Sequence, residues 1–147
     1  MQIDQKIIHF LNEHHLLTLA TSQNNKPYCC NLFYVYDQVS NQLIFSTEIK
    51  TKHAQHFIFN TSVAGSIALE TKEVNKIQGV QLLGTILELK GERLKIAKKQ
   101  YIKAFSYAKN MDLHLWAMPL IFIKMTHNKL GFGKKLIWEK KITGFCI

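Results

Sequence analysis

Hydrophobic positions recur along the chain with two periods, and the places where one gives way to the other divide it into elements. Ile3, Ile7, Phe10 and Leu11 fall on one face at helical spacing, so residues 4–14 read as an opening amphipathic helix. Residues 16–21 then read as a short strand. A polar stretch at 23–27 turns the chain into a longer, aromatic-rich strand over 28–36. A second turn at 37–41 leads into a strand at 42–47, and together these form an antiparallel meander.

The period changes at residues 50–60, where Ala54, Phe57 and Ile58 make a helical stripe and Asn60 can end it. Strand patterns return at 63–69 and at 77–89, the second long enough to bend at Gly79 or Gly84. Residues 92–105 give the clearest helix, with Leu94, Ala97, Tyr101 and Phe105 on one side and Arg93, Lys95, Lys98, Lys99 and Lys103 elsewhere. Strands at 116–125 and 134–138, joined by a turn around His127 to Lys129, complete the pattern. Strands outnumber helices without regular β-α-β alternation, which argues against a parallel doubly wound sheet. The expected fold is mostly β (α+β): an antiparallel barrel with flanking helices, one domain over residues 1–147.

A chain of 147 residues with 47% hydrophobic residues buries enough surface for a core without covalent staples. Cys29 and Cys30 are adjacent and point to opposite faces of a strand, and Cys146 stands near the C-terminus. No C-x-x-C and no zinc-type Cys/His spacing occurs, so all three read as free thiols of a reducing, cytoplasmic compartment. Asp4, Lys6 and Glu13 break up the N-terminal apolar residues, and Pro119 interrupts the longest apolar run, 115–123, so no membrane partner is expected.

The net charge of +9 admits three readings: a lysine-rich surface, a site for a small acidic or phosphorylated ligand, or a nucleic-acid surface. The segment joining the third strand to the second helix bears on the choice. A helix N-terminus exposes unpaired N–H groups and a partial positive charge, so cations are misplaced there. Lys50, Lys52 and His53 nevertheless crowd this one, and no acidic residue falls between Glu48 and Glu70. Thr51 can cap the helix or give its hydroxyl to a ligand. A phosphate would take the helix N–H groups and the lysines together. A solvated basic turn with its lysines pointing away satisfies the same pattern, and charge placement alone leaves both open.

Asn25-Lys26-Pro27-Tyr28, then Phe45-Ser46-Thr47 and Thr51-Lys52-His53-Ala54, resembles the pyridoxamine-phosphate-oxidase-like, FMN-binding split barrels. Ile77-Gln78-Gly79-Val80-Gln81-Leu82-Leu83-Gly84 is similar to the next long strand of that superfamily. Through Lys50-Thr51-Lys52-His53-Ala54-Gln55, Gly79-Val80-Gln81 and Leu130-Gly131-Phe132-Gly133-Lys134-Lys135 the likeness is closest to its YhbP-like branch. The resemblance implies a split β-barrel and a homodimer with FMN sites at the subunit interface. It implies Lys50, Thr51, Lys52 and His53 around the phosphate, and Thr47 with Asn31, Leu32 and Phe33 along the ring system. Gln81 would lie nearby, and Lys134 would approach the partner subunit's flavin. The stretch 115–123 and the strand 28–36 would lend surface to the dimer.

Two departures from the vitamin-forming oxidases stand out. Their arginine-lysine pair reads Lys52-His53 here, and the arginine of their second strand falls near Cys30. Lysine meets a phosphate as a point charge, without the guanidinium fork. The chain also ends Lys140-Lys141-Ile142-Thr143-Gly144-Phe145-Cys146-Ile147 in place of their arginine- and proline-bearing closing segment. Oxidation of pyridoxine phosphate is therefore not the expected reaction.

The remaining candidates read more plainly. Gly131-Phe132-Gly133 lies between strands, not before a helix, which excludes a dinucleotide fingerprint and favours a bulged turn. His14-His15 and His53 with His56 lack a carboxylate or thiol at supporting spacing, so no metal is expected. Should haem bind, as in some split barrels, His127 is the candidate ligand. The leading expectation is an FMN-binding oxidoreductase of unknown substrate. A barrel binding flavin, haem or another anionic ligand without turnover comes second. A nucleic-acid partner comes last, because no recognised motif accompanies the basic helix.

Overall fold

The computed structural model of the chain describes residues 2–142, and Cys146 lies outside them. Helix α1 (Gln5–Glu13) opens where Asp4 accepts a hydrogen bond from the Lys6 amide at 2.8 Å, and it buries Ile7, Phe10 and Leu11. Strands β1 (Leu16–Gln23) and β2 (Lys26–Asp37) follow, joined by Asn24 and Asn25 at φ 50° and 60°. Two successive residues in the left-handed region make the turn whose twist suits a hairpin, and asparagine tolerates it. Pro27 pairs with Ser22 inside the ladder, so β2 begins two residues before the aromatic pattern.

Strand β3 (Gln42–Ser46), helix α2 (Lys52–Phe59) and strand β4 (Ser62–Ala68) come next. The long apolar stretch expected at 77–89 is two strands, β5 (Gln78–Thr85) and β6 (Leu87–Glu88). Just before the break, at one of the two glycines singled out, the strand approaches β7 closely. The β5–β7 register shifts between Leu83 and Gly84, and a Cβ on Gly84 would lie 2.6 Å from the Pro119 carbonyl oxygen. Helix α3 (Gly91–Ala104) precedes β7 (Leu115–His127) and β8 (Lys135–Glu139).

All pairings are antiparallel, in the order β3-β2-β1-β4-β5-β7, and β3 pairs back onto β7 to close the ring. Along one side of β7, β3 pairs with its first half (Gln42↔Pro119 to Ser46↔Leu115), while β8 takes the second half (Phe122↔Glu139 to Thr126↔Lys135). The ring is therefore split at residues 119–122. The main core fills the barrel, with Leu17, Leu19, Phe45, Phe57, Leu82, Met118 and Ile123 among its members. A second core of Ile44, Leu89, Ala97, Tyr101, Leu115 and Ala117 lies under α3. No helix of the described residues is long and apolar enough to cross a membrane.

One surface expectation is corrected here. Residues 115–118, Leu120 and Ile123 are buried, because the two faces of β7 pack into the barrel core and the core under α3, so Pro119, Ile121 and Phe122 are what the stretch 115–123 leaves at least partly exposed.

Candidate functional site

The β3–α2 turn is built around Thr47, Thr51 and His53. Thr51 is the N-cap of α2: its hydroxyl oxygen accepts from the Ala54 amide at 3.3 Å, and its proton goes to the Glu48 carbonyl at 2.9 Å. His53 is turned inward, 9% exposed, with Nε2 lying 2.6 Å from the Thr47 hydroxyl and 3.1 Å from that of Thr51. With the Thr51 proton already engaged, the proton count assigns an Nε2–H shared between both hydroxyl oxygens. The Thr47 hydroxyl proton then has only the Thr51 oxygen, at 3.3 Å, and is free for a better acceptor.

Burial, with the neighbouring His56 second, holds the His53 pKa below the ordinary 6.5, so the ring is neutral near pH 7. Lys50 is paired with Glu48 at 2.9 Å on the surface. The uncompensated positive charge of the turn therefore rests on Lys52, whose ammonium lies 4.8 Å from the centre of the Tyr28 ring. The amides of Lys52 and His53 make no backbone hydrogen bond among the described residues. These two N–H groups, the Lys52 charge and the spare Thr47 proton are four donors within one turn of chain.

Residues distant in sequence hold this turn in place. The Trp116 indole donates to the Thr47 carbonyl at 3.0 Å, and the Thr47 amide donates to the His114 carbonyl at 3.0 Å. His114 stacks on Trp116 with rings 4.6 Å apart and meets Glu88 at 2.9 Å, which lowers the Glu88 pKa. On the other side His56 Nδ1 lies 3.1 Å from the Thr21 hydroxyl and ties α2 to β1. None of Trp116, His114, Glu88 or Thr21 shows in the local pattern. Tyr28 was within reach, as the aromatic residue closing the quoted Lys26-Pro27-Tyr28 block.

The other expected site residues lie elsewhere. Asn31 and Phe33 face outward on β2, whereas Leu32 packs against the barrel core. The Thr18 hydroxyl donates to the Asn31 carbonyl oxygen at 2.9 Å, and Phe33 stacks on Phe105 with centroids 5.4 Å apart. Gln81 is exposed on β5 in one lateral row with Asn31, Thr18, Ser66 and Lys124. Three strand spacings separate it from Asn31, roughly 14 Å along the sheet. Lys134 sits exposed in the β7–β8 turn, where its carbonyl accepts from the His127 amide at 2.9 Å. Among the described residues no hydrogen bond, ion pair or ring contact joins Gln81 or Lys134 to the α2 turn. Cys29 is exposed and Cys30 packs on the core, as alternation requires. No group of three or more His, Cys, Asp or Glu among the described residues has metal-site geometry.

This chain is 40% identical over 134 residues to an UPF0306 protein of Yersinia enterocolitica, covering 91% of each. It belongs to the UPF0306 protein family. A second member, from Photorhabdus laumondii, is 37% identical over 136 residues, 92% of this chain and 95% of that one. No family model matches the chain. Among solved structures, a heme binding protein of Mycobacterium smegmatis superposes with a TM-score of 0.70 at 16% identity, over 85% of this chain and 52% of that one. The heme storage protein HutZ of Vibrio cholerae gives 0.64 at 17% identity, over 82% and 91%. An FAD binding protein of M. smegmatis gives 0.65 at 16%, over 84% and 93%. These likenesses establish the antiparallel split-barrel fold.

Proposed function

We propose that this UPF0306 protein binds FMN through its phosphate at the β3–α2 turn and serves as an FMN-dependent oxidoreductase. The observation that carries the reading is the donor set of the turn: the free Lys52 and His53 amides, the Lys52 ammonium and the spare Thr47 proton. These are the groups a phosphate dianion takes, at the positive end of a helix dipole. The carboxylate closest in sequence, Glu48, is engaged with Lys50. Neutral His53 orients both threonine hydroxyls and Trp116 fixes the Thr47 carbonyl. The bound flavin would supply the hydride or electron chemistry.

Gln81, Asn31 and Lys134 make no contact with this turn within one chain, so a homodimer is part of the reading. A second copy would bring its outer sheet face, with these residues, toward the flavin. The names of the solved neighbours support a flavin or haem ligand for this barrel, and FMN is the form the turn's phosphate donors favour. A second reading, haem without turnover, draws on the same neighbours and on His127. Its Nδ1 is buried without a partner among the described residues, and burial keeps its pKa low.

Absorption spectra of the purified protein, with and without added FMN, riboflavin and haemin, test the proposal. A flavin spectrum, with FMN bound more tightly than riboflavin, is expected. Riboflavin bound as tightly as FMN would show that the turn reads no phosphate, and a Soret band alone would favour haem. Sedimentation should give a dimer of the loaded protein at micromolar concentration, and a flavin-loaded monomer would refute the shared site. Duplex DNA should bind weakly and only at low salt.

A further inference from the structure

A cavity of about 280 Å³ lies between the turn that follows β2 and the side of α3, lined by Asp37, Ser40, Gln42, Arg93, Gln100 and apolar side chains including Ile96. Its polar groups are incompletely matched. Asp37 is 7% exposed, and its carboxylate accepts only from neutral donors: the Val39 and Ser40 amides at 3.1 and 3.4 Å and the Gln42 side-chain amide at 3.0 Å. Arg93 lines the same cavity and forms no ion pair among the described residues, with Asp37 or any other carboxylate. The Gln100 carbonyl oxygen is buried and has no donor. One wall thus holds an anion without a cation, a cation without an anion and an acceptor without a donor.

The mismatches at Asp37 and at the Gln100 side-chain oxygen are costly, because a buried charge or polar atom loses its water without a replacement, whereas Arg93 is exposed and keeps its water until a ligand takes it. A carboxylate has about four acceptor sites, so the three neutral donors leave Asp37 room for a further partner. A single molecule carrying both signs would answer all three. We propose that this cavity is a binding site for a small zwitterion. Its ammonium group meets Asp37 and the Gln100 carbonyl, and its carboxylate or other anionic head meets Arg93. Ile96 and its apolar neighbours suit a short aliphatic segment between the charged ends. The volume is at the small end for ligand pockets, which suits a small molecule. The site shares no residue with the β3–α2 turn and does not depend on the flavin reading.

Calorimetric titration of the full-length protein with a homologous series tests this directly: glycine, β-alanine, γ-aminobutyrate and δ-aminovalerate. The expected result is affinity that peaks at one chain length, where the two charged ends span the gap between Asp37 and Arg93. The amine and the acid matched to the best member should each bind about tenfold more weakly or worse, since each lacks one charge-assisted contact. Arg93→Gln should weaken the best member about tenfold. Lys99→Gln removes the same charge from α3 outside the cavity and should leave affinity unchanged. Gln100→Leu should weaken binding without unfolding the helix, checked by circular dichroism. Failure of every member to bind in the millimolar range would overturn the proposal in favour of a water-filled cavity. Equal losses in Arg93→Gln and Lys99→Gln would overturn it in favour of net charge.

Discussion

The indole nitrogen of Trp116, on the barrel's central strand β7, donates to the main-chain carbonyl of Thr47 at 3.0 Å, just beyond the end of β3. The residue proposed to offer its hydroxyl to a ligand is therefore held from behind by the barrel wall. Trp116 also meets Phe57 of α2 at 4.8 Å, so one side chain packs against both ends of the turn. Trp116→Phe keeps most of the packing and strands the Thr47 carbonyl. A loss of about 1–3 kcal/mol in unfolding free energy is expected, measured by urea titration. FMN affinity should fall with it, and an unchanged affinity would separate the turn from the ligand.

Lys52 carries the turn's unpaired charge, so Lys52→Ala should weaken FMN about ten- to a hundredfold and riboflavin far less. Lys52→Arg should retain most of the binding. Lys98→Ala, on the basic helix, should change little. Fluorescence quenching titrations of the three variants against both flavins give the comparison, and equal losses for Lys52→Ala and Lys98→Ala would point to net charge.

His53 predicts the direction of acid sensitivity. Its folded pKa is depressed below 6.5, by burial first and His56 second, so the unfolded chain takes up the proton more readily. Stability from this group is complete above about pH 6.5 and declines as pH falls from there toward the folded value. His127, also depressed, adds a slope of the same sign. Thermal unfolding between about pH 8 and pH 5 should show Tm falling on the acid side. His53→Gln, which cannot titrate, should flatten the curve without abolishing the slope.

Gly84 tests the barrel's bend. An alanine Cβ there would press on the Pro119 carbonyl at 2.6 Å and on Met118 at 2.9 Å, both fixed in β7. Gly84→Ala should cost about 1–3 kcal/mol of stability by overpacking, read by chemical denaturation. A neutral result would mean that the strands separate there more easily than the close approach implies.

The two neighbouring thiols should behave differently. Burial, with Cys29 beside it, pushes the Cys30 thiol up to about 11, so it carries almost no thiolate near neutrality. Cys29 is exposed. Limited alkylation followed by peptide mass analysis should label Cys29 first and Cys30 only after unfolding.

What was legible in the sequence follows from which forces are local. The 3.6 period and the Thr51 cap placed α2 to within two residues of where it begins. Alternation put Cys29 and Cys30 on opposite faces of β2, while which of the two is buried came from the packing, and the turn at Asn24 and Asn25 needed only their tolerance of positive φ. The stretch 115–123 misled because a continuous apolar run fits a strand buried on both faces as well as an interface. What decides is the packing of its two faces into the barrel core and the core under α3, made with residues tens of positions away. The inward turn of His53 was hidden for a related reason. Its hydroxyl partners are near in sequence, but the contacts that position Thr47 come from Trp116 on β7 and from His114 just before it.

The exchange of β3 for β8 along β7 also decides how this molecule meets copies of itself during folding. The closure is incomplete, so unpaired backbone among the described strands includes the side of β2 away from β1 over residues 26–33, the two-residue β6 and the outer side of β8. An open strand edge is a template for adding another chain. On β8 that edge carries Lys135 and Glu139 at its ends, with Lys140 and Lys141 following, around the exposed Ile137. Charge at such an edge repels a second identical strand. Where these charges are screened or removed, β8 becomes one edge from which sheet-to-sheet aggregation would start.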